Sequence, residues 1–275
     1  MPGIRDFRDK IVVVTGAGSG IGRATAAAFA AERAKVVLAD IRGEDARNAA
    51  HDIEAKGGQA VSREVDVSDY GQVADLARFV LDKLGRVDVV VNNAGVGLAG
   101  TILDNAVEDW CWLMGVNLWG VVHGMKAFLP HLAAQRSGHV VNLGSLAALV
   151  PAPGAAAYST SKHAVLALSL AARIEMKAYN VGVTVVCPGI VDTPLVSHGR
   201  LTVPEGAKVQ RDDIARWLRT YGWPPDKVAT AILRAVRRNS AVAPLGAAVR
   251  LLWLMNRIAP RATNAVGQKF YDRLV

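Results

Sequence analysis

Tyr158 and Lys162 stand four residues apart in the segment YSTSK. On a helix, positions four apart share a face and can meet. A lysine cation beside a phenol favours the phenolate and lowers the tyrosine pKa. A phenol tuned in that way can give and take a proton during a reaction. On an ordinary helix surface the same pair would do no more than touch, so its meaning depends on what stands around it. Ser145 closes the apolar run HVVNL at 139–143. At the end of a strand, its hydroxyl could hold the oxygen of a substrate.

A second group of residues points to a phosphate. Thr15-Gly16-Ala17-Gly18-Ser19-Gly20-Ile21-Gly22 follows a valine-rich run and opens an alanine-rich stretch. Glycines there let the backbone turn sharply and approach a pyrophosphate, which then sits at the positive end of a helix. The spacing is Gly-x-x-x-Gly-x-Gly, not the commoner Gly-x-Gly-x-x-Gly. Asp40 ends the second apolar run, 18 residues after Gly22. A carboxylate at that place accepts hydrogen bonds from a ribose and repels a 2′-phosphate, which favours NAD over NADP. Arg42 pulls the other way, because a guanidinium can pair with that phosphate. Asp66 and Val67, after the third run, are candidates for holding an adenine, or else a plain loop.

These groups need elements to position them. Residues 10–15, 35–40, 60–65, 87–92, 139–143 and 182–187 read as buried strands, several of them nearly continuous valine. Amphipathic stretches at 21–33, 44–56, 70–84, 107–135 and 158–179 predict helices between them. Gly57-Gly58 stops one helix, and Pro130 predicts a kink or a late end in the longest. Residues 188–225 hold five prolines and predict loop with short helices, a lid over a site. A helix over 226–238 and a last short strand at 241–244 follow.

Such alternation predicts an α/β fold, a Rossmann-like doubly wound parallel sheet of about seven strands with helices on both faces. Ligands then bind at the carboxyl ends of the strands. The whole chain, 1–275, reads as one dinucleotide-binding catalytic domain with a lid at 190–225 and a basic, apolar extension at 246–275.

Taken together, TGAGSGIG, NNAG at 92–95, Asn117, Ser145, Tyr158-x-x-x-Lys162 and Pro188-Gly189 occur in an order that resembles the short-chain dehydrogenase/reductase family. The resemblance covers roughly residues 8 to 195. It implies that Gly16, Ser19, Gly20, Ile21 and Gly22 line a pyrophosphate, that Asp40 reads the ribose, and that Asp66 and Val67 meet the adenine. Asn93, Ala94 and Gly95 would support the adenosine half. Tyr158 would be the general acid and base, and Lys162 would bond the nicotinamide ribose and depress the tyrosine pKa. Ser145 would orient the carbonyl or alcohol. Asn117 would hold a water that links Lys162 to solvent. Pro188, Gly189, Ile190 and Thr193 would place the nicotinamide. The family also implies a dimer or tetramer.

Bulk properties narrow the alternatives. Cys111 and Cys187 form no CxxC pair, and the six histidines show no metal-ligand spacing, so neither a disulfide framework nor a zinc site is expected. The first apolar run is too short for a signal segment, and no stretch is long enough to span a membrane; a cytoplasmic protein is expected. The net charge of +8 lies mostly at the end: from Arg234 onward there are eight basic residues and one acid. The segment 246–258 (GAAVRLLWLMNRI) could lie on an anionic membrane as a basic amphipathic helix, or pack in an oligomer interface or over the pocket. No nucleic-acid reader motif accompanies the basic tail. Pocket walls are expected from 96–100, 146–153 and 195–223, with Leu98, Leu146, Val150, Leu195, Trp217 and Trp223 making them apolar. The expected reaction interconverts a secondary alcohol and a carbonyl on an apolar small molecule. A catalytically silent dinucleotide-binding sensor or scaffold is the alternative.

Overall fold

The computed structural model describes residues 3–195, 199–201, 213, 216 and 219–272. Trp217 and half of the predicted lid lie outside the described residues. The strands are β1 (Ile11–Thr15), β2 (Lys35–Asp40), β3 (Gln59–Glu64), β4 (Val89–Asn92), β5 (Leu98–Ala99), β6 (Gly138–Leu143), β7 (Val181–Cys187), β8 (Arg200–Leu201) and β9 (Val242–Pro244). The helices are α1 (Gly20–Ala31), α2 (Gly43–Glu54), α3 (Tyr70–Leu84), α4 (Val107–Met114), α5 (Gly120–Gln135), α6 (Ala156–Met176), α7 (Pro225–Arg238), α8 (Ala247–Ile258) and α9 (Pro260–Tyr271).

Seven strands form one parallel sheet in the order β3-β2-β1-β4-β6-β7-β9. Continuous valine runs suit it because both faces are covered. Val13, Val37, Val90 and Val140 face α3, α5 and α6 through Val80, Phe128 and Val165. Val12, Val36, Leu38 and Val91 face α1, α2 and α7 through Phe29, Ile53 and Ile232. The chain builds outward from β1 to β3, then returns to β4 on the other side of β1. That reversal opens a crevice above the carboxyl ends of β1 and β4.

Helix boundaries follow local chemistry. Asp69 caps α3 by accepting from the Gly71 and Gln72 N–H groups at 2.7 and 3.3 Å, and Gly85 ends it at φ +77°. The stretch predicted as one helix over 107–135 is two helices joined by a π-helical turn, Gly115–Trp119. Pro130 does not end α5, which runs on to Gln135. Pro130 lies on the solvent side with Lys126, four residues earlier, so water can take the carbonyl it leaves unbonded, while Phe128 and Leu132 stay buried.

Beyond the sheet, β5 and β8 pair in parallel, so the chain after β7 returns over the crevice beside β5. α8 and α9 pack together at the end of the described chain. No helix among the described residues is long and apolar enough to cross a membrane.

Candidate active site

A cavity of about 610 Å3 runs along the carboxyl edge of the sheet, from Asp40 and Asp66 at one end to Tyr158 and Leu195 at the other. Its floor is the glycine loop. Gly16 and Gly20 have φ of +61° and +52°, a region other residues enter at a cost. A Cβ on Gly22 would lie 2.0 Å from the Gly16 carbonyl oxygen, so Gly22 lets α1 close onto the loop beneath it. Gly22 therefore supports the floor from below and is not part of the cavity wall, unlike Gly16, Ser19, Gly20 and Ile21.

The loop is tied down by neighbouring strands. The Asn93 Nδ2 donates to the Thr15 and Gly16 carbonyls at 2.8 and 3.1 Å. Thr15 Oγ1 accepts from the Asn93 and Ala94 N–H groups, both at 3.1 Å. Asp40 is 5% exposed, and its two oxygens accept from the N–H groups of Gly18 (2.9 Å) and Arg42 (3.0 Å). A carboxylate has about four lone-pair directions, so Asp40 keeps acceptor capacity toward the cavity it lines. The Arg42 guanidinium pairs with Asp45 at 2.5 Å and reaches Ser19 Oγ at 3.4 Å. Ser19, at the N-cap of α1, makes no capping bond. The first turn of α1 thus meets the cavity without a side-chain cap.

Asp66 accepts from Ser68 through its N–H (2.9 Å) and hydroxyl (2.7 Å), which fixes the turn that presents Val65, Asp66 and Val67 to the cavity. The Val67 carbonyl meets His123 Nδ1 at 2.9 Å. Gly95 lines the wall where a Cβ would stand 3.3 Å from Asn117 Oδ1 and 3.6 Å from Lys162 Nζ. A side chain there would crowd the Asn117 amide oxygen.

At the other end, β6 ends at Leu143, and Ser145 caps a short 3-10 turn by accepting from the Ala147 N–H at 3.2 Å. Tyr158 and Lys162 lie on α6, one turn apart, and both line the cavity with Ser145. Lys162 Nζ donates to the Leu143 carbonyl at 2.9 Å and lies 5.7 Å from the centroid of the Tyr158 ring. Burial lowers the Lys162 pKa to about 8, against a smaller upward pull from the Cys187 side. Burial raises the Tyr158 pKa; the hydrogen bond with Ser145 works in the opposite direction and is outweighed. The expected depression of Tyr158 by Lys162 is thus not what dominates: loss of water around the phenol decides the sign. Cys187, at the end of β7, is pushed up to about 12 by burial and remains a neutral thiol.

Asn117 sits in the π turn, fully buried and off the cavity wall. Its Oδ1 accepts from the Val96 N–H at 2.8 Å, and its Nδ2 donates to the Val96 carbonyl at 3.0 Å and to Ser161 Oγ at 3.2 Å. The amide is spent on fastening the strand-end loop to α6.

Pro188, Gly189, Ile190 and Thr193 line the cavity after β7. The apolar wall differs from the one expected. Leu195 and Val96, both from the expected segments, are on it, joined by Trp112, Val116, Val191 and Pro194. Leu98 is buried beneath, against Leu113 and Ala157, because β5 turns it inward. Leu146 and Val150 pack on the main core. Trp223 bridges to Val191 and lays its indole against Gly246, away from the cavity. Trp112 lay outside the expected pocket walls. Its position four residues before Val116, which puts both on one helical face toward the crevice, is the signal that could have found it.

Residues 10–202 match the family model for short chain dehydrogenases. The chain is 41% identical over 269 residues to the probable oxidoreductase EphD of Mycobacterium tuberculosis; the match takes in 95% of this chain and 45% of that protein, so the chain spans about half the length of this relative. A solved short-chain dehydrogenase/reductase from Burkholderia phymatum, in complex with NAD, superposes with a TM-score of 0.84 at 31% identity, covering 92% of this chain and 95% of that one. A metagenomic short-chain oxidoreductase in complex with NADP does so with a TM-score of 0.70 at 31% identity, covering 86% and 94%. The chain belongs to the short-chain dehydrogenase/reductase family.

Proposed function

We propose that this enzyme interconverts a secondary alcohol and a carbonyl on an apolar small molecule, with NAD as its dinucleotide. The observation that carries the reading is the grouping of Ser145, Tyr158 and Lys162 at one end of a cavity whose other end is the glycine loop and Asp40.

The residues fit a dinucleotide. The N–H groups at the start of α1 suit a pyrophosphate, and Asp40 suits ribose hydroxyls. Asp40 also favours NAD over NADP: its buried negative charge would face a 2′-phosphate, while the Arg42 cation is already paired with Asp45. Asp66 and Val67 stand at the adenine end, and Asn93, Ala94 and Gly95 along the middle. Pro188, Gly189, Ile190 and Thr193 would hold the nicotinamide end. When bound, the dinucleotide supplies or accepts the hydride.

The chain's own residues manage the proton. The Ser145 hydroxyl lines the cavity with the phenol and is placed to hold the substrate oxygen beside it. Tyr158, kept protonated by burial, gives its proton to that oxygen in carbonyl reduction and takes it back in alcohol oxidation. Lys162 is cationic at neutral pH and stands near enough to stabilise the phenolate left behind. Asn117 acts on the site through Val96 and Ser161. Trp112, Val116 and Leu195 provide an apolar wall that a lipophilic substrate would desolvate.

The test is absorbance at 340 nm with NAD and with NADP against apolar secondary alcohols, hydroxysteroids and retinol. Turnover with NAD is expected. Turnover only with NADP would overturn the role given to Asp40. Tight dinucleotide binding with no turnover on any alcohol or ketone would favour a silent sensor.

A further inference from the structure

The helix after β9 carries a pattern that oxidoreductase chemistry does not use. One face of α8 fastens it to the molecule. Val249 is buried and reaches Gly189, Trp253 packs on the core, and Asn256 Nδ2 donates to the Leu149 carbonyl at 2.9 Å. The opposite face is apolar as well. Ala247, Leu251, Leu254 and Ile258 recur at steps of four, three and four, which places them in one stripe. Leu251, Leu254 and Ile258 are 59, 54 and 74% exposed. A helix packed against a core on one side ordinarily turns polar residues to water on the other.

Charge says what suits that stripe. Arg250 and Arg257 flank it along one edge, Arg261 follows at the start of α9, and all three are exposed. Between Asp226 and Asp272 the chain has no acidic residue and eight lysines and arginines. A second copy packing on this stripe would add three more arginines and, from the same segment, no acid to pair with them. An anionic lipid surface complements both features at once: headgroup phosphates for the arginines, acyl chains for the leucines.

We propose that α8 docks the protein on anionic membrane, its Leu251–Leu254–Ile258 stripe lying among the acyl chains and Arg250, Arg257 and Arg261 on lipid phosphates. The docked helix borders the cavity, because its buried face touches Gly189 on the cavity wall. An apolar substrate could then pass between bilayer and site. The docking itself does not depend on the catalytic reading.

The experiment is co-sedimentation of the full chain with vesicles of phosphatidylcholine alone and of phosphatidylcholine with phosphatidylglycerol, with light scattering of each protein in solution. Wild-type protein is expected to sediment with the phosphatidylglycerol vesicles and to be released by salt. The variant Leu251→Ser/Leu254→Ser/Ile258→Ser should lose about 100-fold in partitioning. Arg250→Gln/Arg257→Gln/Arg261→Gln should lose a similar factor, at roughly fivefold per cation. Both should keep the wild-type circular dichroism spectrum and oligomeric mass, because the altered side chains are exposed and the arginines give up only a bond from Arg250 to the Pro244 carbonyl and the approach of Arg257 to Trp253. Absence of wild-type binding to phosphatidylglycerol vesicles would overturn the proposal. Unchanged binding in both variants would do the same. A serine variant that falls to a smaller oligomer without any wild-type vesicle binding would assign the stripe to a second copy of the chain.

Discussion

The two edges of the central sheet use polar residues in opposite ways. At the amino edge they satisfy one another. Asp88 accepts from the Ile11 N–H at 3.0 Å and pairs with Arg86 and Lys10 at 2.6 and 3.5 Å. Arg173 donates to the Val183 carbonyl and to both the side chain and carbonyl of Asn239. His139, 1% exposed, meets Thr184 Oγ1 at 2.8 Å. At the carboxyl edge, by contrast, Ser145, Tyr158, Lys162, Asp40 and the first turn of α1 line an open cavity with bonding capacity to spare. A parallel sheet gathers every strand's C-terminal loop on one edge, so binding groups accumulate there, while the other edge is free to be closed for stability.

That contrast can be broken by substitution. At the carboxyl edge Ser145→Ala should lower kcat by about 10²-fold or more, since it removes a hydrogen bond to the reacting oxygen, while the melting temperature barely moves. A steady-state assay beside a thermal melt checks both halves. A large loss of stability with near-normal kcat would mean that Ser145 is a structural cap.

At the amino edge the expected effect is on stability and depends on pH. Burial lowers the His139 pKa from 6.5 to about 3, with the Arg173 charge adding to it. In the unfolded chain the imidazole takes up a proton as pH falls through about 6.5; in the folded protein it stays neutral until about pH 3. The unfolded state therefore binds more protons across that window, and stability falls as pH falls through it. The loss is on the order of a few kcal/mol once fully developed. Urea unfolding at neutral pH and near pH 4 should show a smaller difference in His139→Gln than in wild-type protein, with kcat at neutral pH unchanged. Equal pH slopes in the two proteins would remove His139 from this account.

The smallest effect is expected at the apolar wall. Trp112→Ala should raise KM for an apolar substrate about tenfold through lost burial, leaving the dinucleotide Kd unchanged. The Arg200 guanidinium, stacked 4.2 Å from that ring and paired with Asp109 at 2.7 Å, would lose its platform. Parallel measurement of KM and Kd separates the substrate wall from the cofactor floor. A weakened Kd would show that the two are not separate.

Which parts of this design could be read from sequence depends on what fixes each residue. The edge positions of Asp40, Ser145 and Pro188 were legible because valine runs mark the strands: Asp40 ends one, Ser145 stands two residues beyond another and Pro188 directly follows a third. Tyr158 and Lys162 were legible as a pair because helical periodicity alone brings them together. Gly22 and Asn117 were found, but not what surrounds them. Gly22 is fixed by contact with the Gly16 carbonyl, and Asn117 by bonds to Val96 and Ser161, none of which has a periodic trace. The π turn at Gly115–Trp119 was missed for the same reason, since its apolar pattern also suits an unbroken helix. The pocket wall was read only in part. Leu98 and Trp223 are apolar and near the site in sequence, yet a two-residue strand and one bridge turn them away from it.

The central claim is that Tyr158 carries the proton while the far end of the cavity holds the dinucleotide independently of it. Tyr158→Phe removes one oxygen from the site and leaves the glycine loop, Asp40 and α1 untouched. Dinucleotide Kd, followed by fluorescence titration, and kcat at 340 nm should be measured on the same preparation. The account predicts a Kd within about twofold of wild type and a kcat lower by about 10³-fold, in the range of lost general acid–base catalysis. Near-normal kcat in that variant would contradict it.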